Sequence, residues 1–262
     1  MLRPRISPCL LVHKGGLVKT RGFGEPKYVG DPINAVRIFN EKEVDEIVVL
    51  DIDASVQRRP PDYGLIKSLA AECRMPLCYG GGVKSPEHFE RIVGLGVEKV
   101  AISSACIDDP ELVSRAKDIV GSQSVVAVAD VRRDSRGEHM LFVDNGRRAT
   151  GRSVAEFAAS MAALGAGEIL ANSIDRDGTM SGYDMDLVRK VRDAVDIPIT
   201  ALGGAGSLND IGELVERFGT IGASAGSLFV FKGVYRAVLI NYPRRTDRDL
   251  VAQRGIGGGA RP

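Results

Sequence analysis

Hydrophobic residues recur along the chain as short runs rich in Val and Ile, and each run is followed by a turn and a longer mixed segment. A short apolar run indicates a buried strand, whereas apolar residues at i, i+3 and i+4 indicate one buried helix face. Eight runs are present, which is enough to close a parallel barrel. The predicted strands are Ile6–Val12, Glu46–Leu50, Pro76–Tyr79, Lys99–Ile102, Ser124–Ala129, Glu168–Asn172, Pro198–Leu202 and Thr220–Ala223.

The segments between the runs carry helix patterns, with proline near several starts and glycine near several ends. Strands that alternate with helices favour an α/β fold with a parallel sheet. We therefore predict a single (β/α)8 TIM barrel. The clearest predicted helices are Pro86–Val93, Asp109–Val120, Val154–Leu164 and Asp186–Val195.

An internal repeat supports this architecture. Sliding the sequence by 122 residues places Met75–Glu87 (MPLCYGGGVKSPE) on Ile197–Asn209 (IPITALGGAGSLN), and it places Glu46 on Glu168. A repeat of this length is longer than a solenoid unit. The barrel is therefore predicted to consist of two duplicated (β/α)4 halves.

Three segments depart from a plain barrel. His13–Gly30 is long, glycine-rich and basic for a loop between a strand and a helix, which predicts a mobile lid. The pair Asn145-Gly146 within alternating residues predicts a β-hairpin. Gly255–Pro262 is predicted to be a disordered tail, and residues 1–254 are expected to form one barrel domain.

Composition and charge narrow the functional classes. The 262 residues are 44% hydrophobic with a formal net charge of +1, so no basic face for nucleic-acid binding is expected. The first residues lack a signal-peptide pattern and an apolar span, which favours a cytoplasmic protein without membrane contact. The cysteines and histidines show no metal-ligand spacing, so neither a metal nor a cofactor is expected.

Glycine and small hydroxyl residues follow four of the predicted strands in corresponding positions of the two halves. Such turns let backbone N–H groups approach a phosphate closely, and two sites imply a ligand with two anionic ends. The alternative is that these glycines only make tight turns. The candidate phosphate-binding residues are Gly81, Gly82, Ser103, Ser104, Gly203, Gly204, Ala225, Gly226 and Ser227.

Acidic residues also end several strands. A carboxylate held at a barrel mouth can transfer a proton if its surroundings raise its pKa. Asp130, which ends the fifth strand, is the best acid/base candidate. Asp51, Asp53 and Asp175 are expected instead to cap loops or pair with arginine.

At this level of detail the chain resembles the cyclase subunit of imidazole glycerol phosphate synthase over about residues 3–240. The resemblance implies a lyase-type subunit of a glutamine amidotransferase complex in histidine biosynthesis. In that family a glutaminase subunit docks on the N-terminal barrel face, and ammonia travels through the barrel to a substrate with two phosphates. Two aspartates act there as acid and base. The matching segments are RISPCLLV, VVLDIDAS, CYGGGV, GEILANSIDRDGTMSGYD and ALGGAG.

The resemblance carries over to two groups of residues. Asp130, Asp177 and Lys19 match the catalytic pattern at the mouth. The second group matches the charged layer that gates ammonia entry in the family and comprises Arg5, Glu46, Lys99 and Glu168. The alternative for these four residues is a structural salt-bridge layer, although buried ion pairs stabilise proteins poorly.

Three positions depart from the family pattern. Leu11 stands where the second catalytic aspartate is expected, Asn172 stands in place of a threonine, and Leu202 in place of a serine. Leucine cannot transfer a proton, so ring closure of the family's normal substrate is expected to be damaged. The combination is similar to paralogues of this cyclase associated with bacterial surface-polysaccharide pathways.

Three hypotheses follow from these residues. In the first, the chain channels ammonia from a glutaminase to an ATP-dependent sugar amidotransferase, which amidates an acetamido sugar in O-antigen or lipopolysaccharide biosynthesis. In the second, it is a genuine cyclase that tolerates Leu11 by using Asp130 with water. In the third, it is a non-catalytic activator of the glutaminase. The expected small-molecule ligand is phosphorylated or linked to a nucleotide sugar.

Overall fold

The computed structural model describes residues 3–233 and 235–257. Its strands are β1 (Arg5–His13), β2 (Gly16–Lys19), β3 (Lys27–Gly30), β4 (Ile47–Asp51), β5 (Leu77–Gly80), β6 (Lys99–Ile102), β7 (Val125–Arg133), β8 (His139–Val143), β9 (Arg148–Ser153), β10 (Glu168–Ser173), β11 (Ile199–Leu202), β12 (Gly222–Ala225), β13 (Phe231–Lys232) and β14 (Ala237–Val238). Its α-helices are α1 (Pro32–Glu41), α2 (Tyr63–Glu72), α3 (Pro86–Gly94), α4 (Ser104–Asp108), α5 (Leu112–Val120), α6 (Val154–Leu164), α7 (Met185–Arg192), α8 (Leu208–Phe218), α9 (Ser227–Val230) and α10 (Arg245–Gly257).

Parallel strands close into a ring, which confirms the predicted (β/α)8 TIM barrel. Strand β1 pairs with β12 on one side and with β4 on the other, and β7 pairs with β10 to complete the circuit. In the last pair Asp130 lies opposite Asn172. The barrel strands in ring order are β1, β4, β5, β6, β7, β10, β11 and β12.

All eight predicted strands are present, most with boundaries shifted by one or two residues. The fifth differs most, because β7 continues to Arg133 and pairs with β8. The predicted helix Asp109–Val120 is wrong at its start, because α4 ends at Asp108 and α5 begins at Leu112. Pro110 accounts for the break, since the residue before proline avoids the helical conformation, and Asp109 has φ −150°.

The segment His13–Gly30 is a strand pair rather than an irregular loop. Strand β2 runs antiparallel to β1, with His13 opposite Gly16, and β3 runs antiparallel to β2. The two-residue turn at Lys14 and Gly15 has positive φ at both positions, which suits the twist of a tight hairpin. Leu17 and Val18 are buried, so the segment His13–Gly30, here called the lid, packs onto the barrel.

The hairpin predicted at Asn145-Gly146 is confirmed, since β8 and β9 pair across it and both residues have positive φ. The predicted tail is wrong at its boundary. Helix α10 continues through Gly257, so Gly255 lies in a helix. Residues 258–262 of the predicted tail lie outside the described residues.

The barrel contains two apolar layers. The outer layer lies between strands and helices and includes fully buried Phe39, Phe89 and Phe157. The inner layer, here called the central apolar cluster, consists of Cys9, Val48, Cys78, Ala101, Val126, Val128, Leu170 and Leu202, with Leu11 and Leu50 packed against it.

None of the helices in the described ranges is long and apolar enough to cross a membrane.

Candidate functional site at the barrel mouth

A cavity with about 1090 Å³ of open space lies at the carboxyl ends of the barrel strands and is called the mouth here. Active sites of this fold form at that end, because the loops after the strands converge there. Among the predicted phosphate-binding residues, Gly82 is buried behind the mouth and does not line it. The predicted residues that line it are Leu11, Lys19, Gly81, Ser103, Ser104, Asp130, Asp177, Gly203, Gly204, Ala225, Gly226 and Ser227.

Asp130 has the environment of an acid/base group. Burial within β7 raises the pKa of its carboxyl to about 6, and the negative charge of Asp177 adds to this rise. Asn172 Nδ2 donates to one carboxylate oxygen at 2.8 Å and Ser103 Oγ donates to the other at 3.1 Å, which opposes the rise. Asp130 is therefore held in a fixed orientation with a pKa close to neutral pH, as proton transfer requires.

Asp177 holds the lid. Its Oδ2 accepts a hydrogen bond from Thr20 Oγ1 at 2.7 Å and one from the Phe23 backbone N–H at 3.3 Å, while its carbonyl accepts from Gly22 N–H at 3.0 Å. Burial raises the pKa of Asp177, and the lid hydrogen bonds oppose that rise. The carboxylate predicted as catalytic thus has a structural contact with the segment that follows β2.

Replacing Asp177 by alanine should open the lid. The change removes the acceptor of Thr20 Oγ1 and of the Phe23 amide, and each hydrogen bond to a charged group contributes about 1.5–3 kcal/mol. Tryptic cleavage after exposed Arg21 should accelerate by about 10²-fold or more, because loss of both hydrogen bonds costs at least about 3 kcal/mol and cleavage follows the population of the open form.

Asp175→Ala is the matched control for this measurement. Asp175 lies on the same loop, but its Oδ2 accepts from the Arg133 backbone N–H at 2.8 Å rather than from the lid. An unchanged cleavage rate in Asp177→Ala, or an equal rise in both variants, would contradict the assignment of Asp177 to the lid.

Lys19 extends from β2 into the barrel and is only 6% exposed. Its Nζ donates to the carbonyl oxygen of Cys9, and burial lowers the pKa of the amine. A Cβ at position 226 would collide with this ammonium group, so Gly226 leaves the space that Lys19 occupies. The mouth therefore contains a buried amine between the lid and the turn after β12.

The glycines at the mouth are needed for backbone reasons. Gly81 has φ +126°, and a Cβ there would lie 2.6 Å from the carbonyl oxygen of Asp51. Gly203 has φ +94°, and a Cβ would lie 2.6 Å from the carbonyl oxygen of Ser173. The tight-turn alternative accounts for both positions, so phosphate binding here stays a prediction.

The acidic residues expected to cap loops or pair with arginine do so. Asp51 accepts from the Asp53 and Ala54 amides and pairs with Arg59 at 2.6 Å. Asp53 accepts from the Lys14 amide at 2.8 Å and lies 2.7 Å from His13 Nδ1. These carboxylates organise the rim of the mouth.

Leu11 presents an apolar side chain where the family resemblance implies a carboxylate. It is partly buried, pairs in register with Leu50 of β4, and packs with Leu50 against the central apolar cluster. Leu202, another departure from the family pattern, belongs to that cluster and also lines the mouth. The floor of the mouth is therefore apolar.

A closed ring of ion pairs, here called the charged ring, lies at the opposite end of the barrel. Arg5 contacts Glu46 at 3.3 Å and Glu168 at 2.6 Å, and Lys99 Nζ lies 2.8 Å from each of the same two glutamates. Burial raises the pKa of Glu168, but the attraction of Arg5 and Lys99 outweighs it and holds that pKa below its usual value. The four predicted gate residues are thus brought together in alternating order.

Sequence reasoning missed Thr200, whose hydroxyl donates to Glu168 within this ring. A narrow cavity adjoins the ring and is lined partly by Glu46, Glu168 and Thr200. It shares no lining residue with the mouth. The central apolar cluster lies between the two cavities.

Histidine, cysteine, aspartate and glutamate residues within 3–233 and 235–257 form no group of three or more that could hold a metal ion. The chain is a parallel (β/α)8 barrel with an acidic mouth at one end and a charged ring at the other. A family model described as "Histidine biosynthesis protein" matches residues 5–236. The chain belongs to this family, and within it to the HisF-like barrels.

Individual relatives agree with this assignment. The "Imidazole glycerol phosphate synthase subunit HisF" of Alkaliphilus metalliredigens is 40% identical, with 89% of this chain and 93% of the relative covered. A Pseudomonas aeruginosa protein provisionally named as the hisF2 subunit of the same synthase is 54% identical over 93% of this chain and 97% of the relative. A Leptospira borgpetersenii protein with a provisional HisF name is 52% identical over 96% and 99%.

Proposed function

We propose that the chain is the ammonia-accepting barrel of a glutamine amidotransferase complex. A glutaminase docks on the end that carries the charged ring, and ammonia passes through the barrel to the mouth. From there it serves an ATP-dependent amidotransferase that amidates an acetamido sugar during bacterial surface-polysaccharide biosynthesis. The observation that carries this proposal is an intact charged ring below a mouth whose second acid/base position is Leu11.

The charged ring supports the proposal of ammonia entry because stability alone does not account for burying four charged side chains. Both glutamates are buried, with side chains 6% and 7% exposed, and each is paired with both cations. A buried ion-pair network costs desolvation energy that an apolar layer would avoid. A ring of alternating charges can open by moving one cation, which suits a gate.

The barrel interior supports passage of neutral ammonia rather than ammonium. Above the charged ring, a small cavity is followed by the central apolar cluster, whose members include Cys9, Val48 and Leu170. An unpaired cation would have to leave its water to cross this layer, at a cost of many kcal/mol, whereas neutral ammonia loses far less. The layer therefore selects the species that reacts as a nucleophile.

The mouth supports delivery rather than ring closure. Asp130 can transfer a proton, but Leu11 leaves it without the partner carboxylate that the family's reaction uses. Asp177 is occupied by the lid. A conduit needs neither carboxylate, whereas loss of one acid/base group lowers a proton-transfer rate by roughly 10²–10⁴.

The pattern of similarity points in the same direction. The chain is 52–54% identical to relatives with provisional or numbered names and 40% identical to one named simply as the HisF subunit. This favours a specialised role for the group that includes the present chain.

A genuine cyclase is the second candidate, because Asp130 has a pKa of about 6 and lies in the same mouth as Lys19. The purified chain, supplied with ammonium salt and the phosphoribulosyl formimino substrate of histidine biosynthesis, should turn over at least about 10²-fold more slowly than the Alkaliphilus metalliredigens relative. Imidazole glycerol phosphate formation measures this directly. A rate near that of the relative would overturn the proposal in favour of the cyclase.

Addition of the glutaminase separates delivery from simple activation. If the barrel only activates its partner, glutamine hydrolysis rises and all the ammonia appears in solution. If the barrel delivers ammonia, a mixture that also contains the ATP-dependent amidotransferase, ATP and the acetamido sugar forms amidated sugar from glutamine even when a scavenging enzyme removes free ammonia from the solution.

A further inference from the structure

A second groove adjoins the mouth on its outer side and has no role in the activity described so far. It encloses about 1060 Å³ of space open to solvent and lies between the loops after β4 and β5, helix α4 and the β8–β9 turn. Ser55 and Ser104 line both this side groove and the mouth. One ligand can therefore extend from the mouth into the side groove across these two serines.

The side groove offers positive charge that the protein does not use. Arg58 and Lys84 line it and are exposed, and neither takes part in an ion pair within the described ranges. Arg58 belongs to the same turn as Ser55, since its backbone N–H donates to the Ser55 carbonyl at 3.1 Å. The turn thus places one cation next to the passage from the mouth.

Acidic residues in the same groove are neutralised by neighbours. Arg148 pairs with Asp108 and with Asp144, each at 2.8 Å, and Arg115 pairs with Asp109. The lining residues Arg58, Lys84 and Arg148 balance the three aspartates, and Arg115, which does not itself line the groove, adds one positive charge. Arg58 and Lys84 are the lining cations without an ion pair in the described ranges, so an anion is expected at their end of the groove.

Ser104 can donate to that anion. Its Oγ accepts a hydrogen bond from the Asp144 backbone N–H at 3.1 Å, so its own proton is left to point elsewhere. A hydroxyl donor and an arginine fork within one passage are the groups that phosphate oxygens bind best.

We propose that the side groove binds a diphosphate ester, whose two phosphates cross from the mouth between Ser55 and Ser104 toward Arg58 and Lys84. The identification of the ester as part of a nucleotide-linked sugar rests on the proposed function, because sugars activated in this way carry a diphosphate. The diphosphate itself follows from the two connected cavities and their cations.

Calorimetric titration of the full chain with uridine diphosphate, uridine monophosphate and inorganic pyrophosphate tests this site. Uridine diphosphate should bind at least about tenfold more tightly than the monophosphate, because only the second phosphate reaches the cations. Pyrophosphate binding of similar strength would assign recognition to the phosphates alone. Equal affinity for the mono- and diphosphate, or no binding of either, would overturn the proposal.

Charge-neutralising variants locate the site. Arg58→Gln and Lys84→Gln should each raise the Kd for uridine diphosphate by at least about fivefold. Lys67→Gln, on the exposed face of α2 outside both cavities, should leave it unchanged. A loss of affinity that Lys67→Gln shares would show a general charge effect and would sink the proposal. Unaltered thermal midpoints verify that the variants are folded.

The outcome is independent of ammonia delivery. A chain that fails to bind uridine diphosphate but still passes ammonia would refute the side-groove site and leave the proposed function intact. A chain that binds it and also forms imidazole glycerol phosphate at the relative's rate would refute the proposed function and keep the site.

Discussion

Replacing Leu11 by aspartate should raise the rate of ring closure on the phosphoribulosyl formimino substrate by about 10²-fold or more, because it supplies a second acid/base group. Leu11 lines the mouth and is only partly buried, so a carboxylate there can remain hydrated. Asp130 has a pKa of about 6 and can act as the protonated partner while the new carboxylate is ionised. Product formation with saturating ammonium salt measures the gain.

Leu11→Asn is the matched control, since asparagine has nearly the same size as aspartate and is also polar, but it transfers no proton. The aspartate variant should also show a pH profile with a limb near 6 that Asp130→Asn removes. Equal rates in the two Leu11 variants would mean that space rather than proton transfer limits the reaction. No gain in either would direct attention to Asn172 and Leu202, which differ from the family pattern in the same mouth.

The barrel could be predicted from the sequence because its signal is repeated and local. Most barrel strands contain a short apolar run, and burial on both faces of a parallel sheet favours that pattern. The lid could not be predicted as strands, since Leu17 and Val18 are too short a run to stand out among the glycines around them. Its pairing with β1 depends on the two-residue turn at Lys14 and Gly15. The sequence around this turn is basic and rich in glycine, so the turn does not stand out from a loop.

The site was predictable where position in the barrel decides it. Residues that begin strands share one end and residues that end strands share the other, so Glu46 and Glu168 could be placed apart from Asp130. The hydrogen-bond partners were not predictable. Thr20 lies 157 residues from Asp177, and only the folded lid brings their side chains together.

Gly82 shows why a glycine motif is a weak signal. A Cβ at this position would lie 2.6 Å from the carbonyl oxygen of Arg59, so close backbone packing explains the glycine without any ligand. The adjacent Gly81 lines the mouth, and the letters alone do not distinguish the two. Motif residues acquire a role only when the direction that each one faces is known.

Replacing Lys99 by methionine should destabilise the fold by about 3 kcal/mol at pH 7, because it leaves Glu46 and Glu168 with Arg5 as their shared cation in a buried ring. The same change should uncouple glutamine hydrolysis from ammonia delivery, since one side of the gate becomes apolar. Chemical denaturation measures the stability, and the ratio of amidated product to glutamate measures the coupling. The control is Lys67→Met, at an exposed position of α2. It should change the free energy of unfolding by no more than about 0.5 kcal/mol and should leave the ratio of amidated product to glutamate unchanged.

Acid should diminish the difference between Lys99→Met and the parent chain. The pKa of Glu168 is lowered in the folded protein by Arg5 and Lys99, so its contribution to stability is present above its unfolded pKa of about 4.3 and is lost as pH falls through the folded value. Below that range the carboxylate is protonated and Lys99 has no partner to stabilise. The free energy of unfolding of the variant should therefore approach that of the parent as pH falls below about 4.3 toward the folded pKa of Glu168. A difference that stays constant below about pH 4.3 would show that Lys99 acts through packing of its methylene groups rather than through the charged ring, and it would remove the electrostatic basis for the gate.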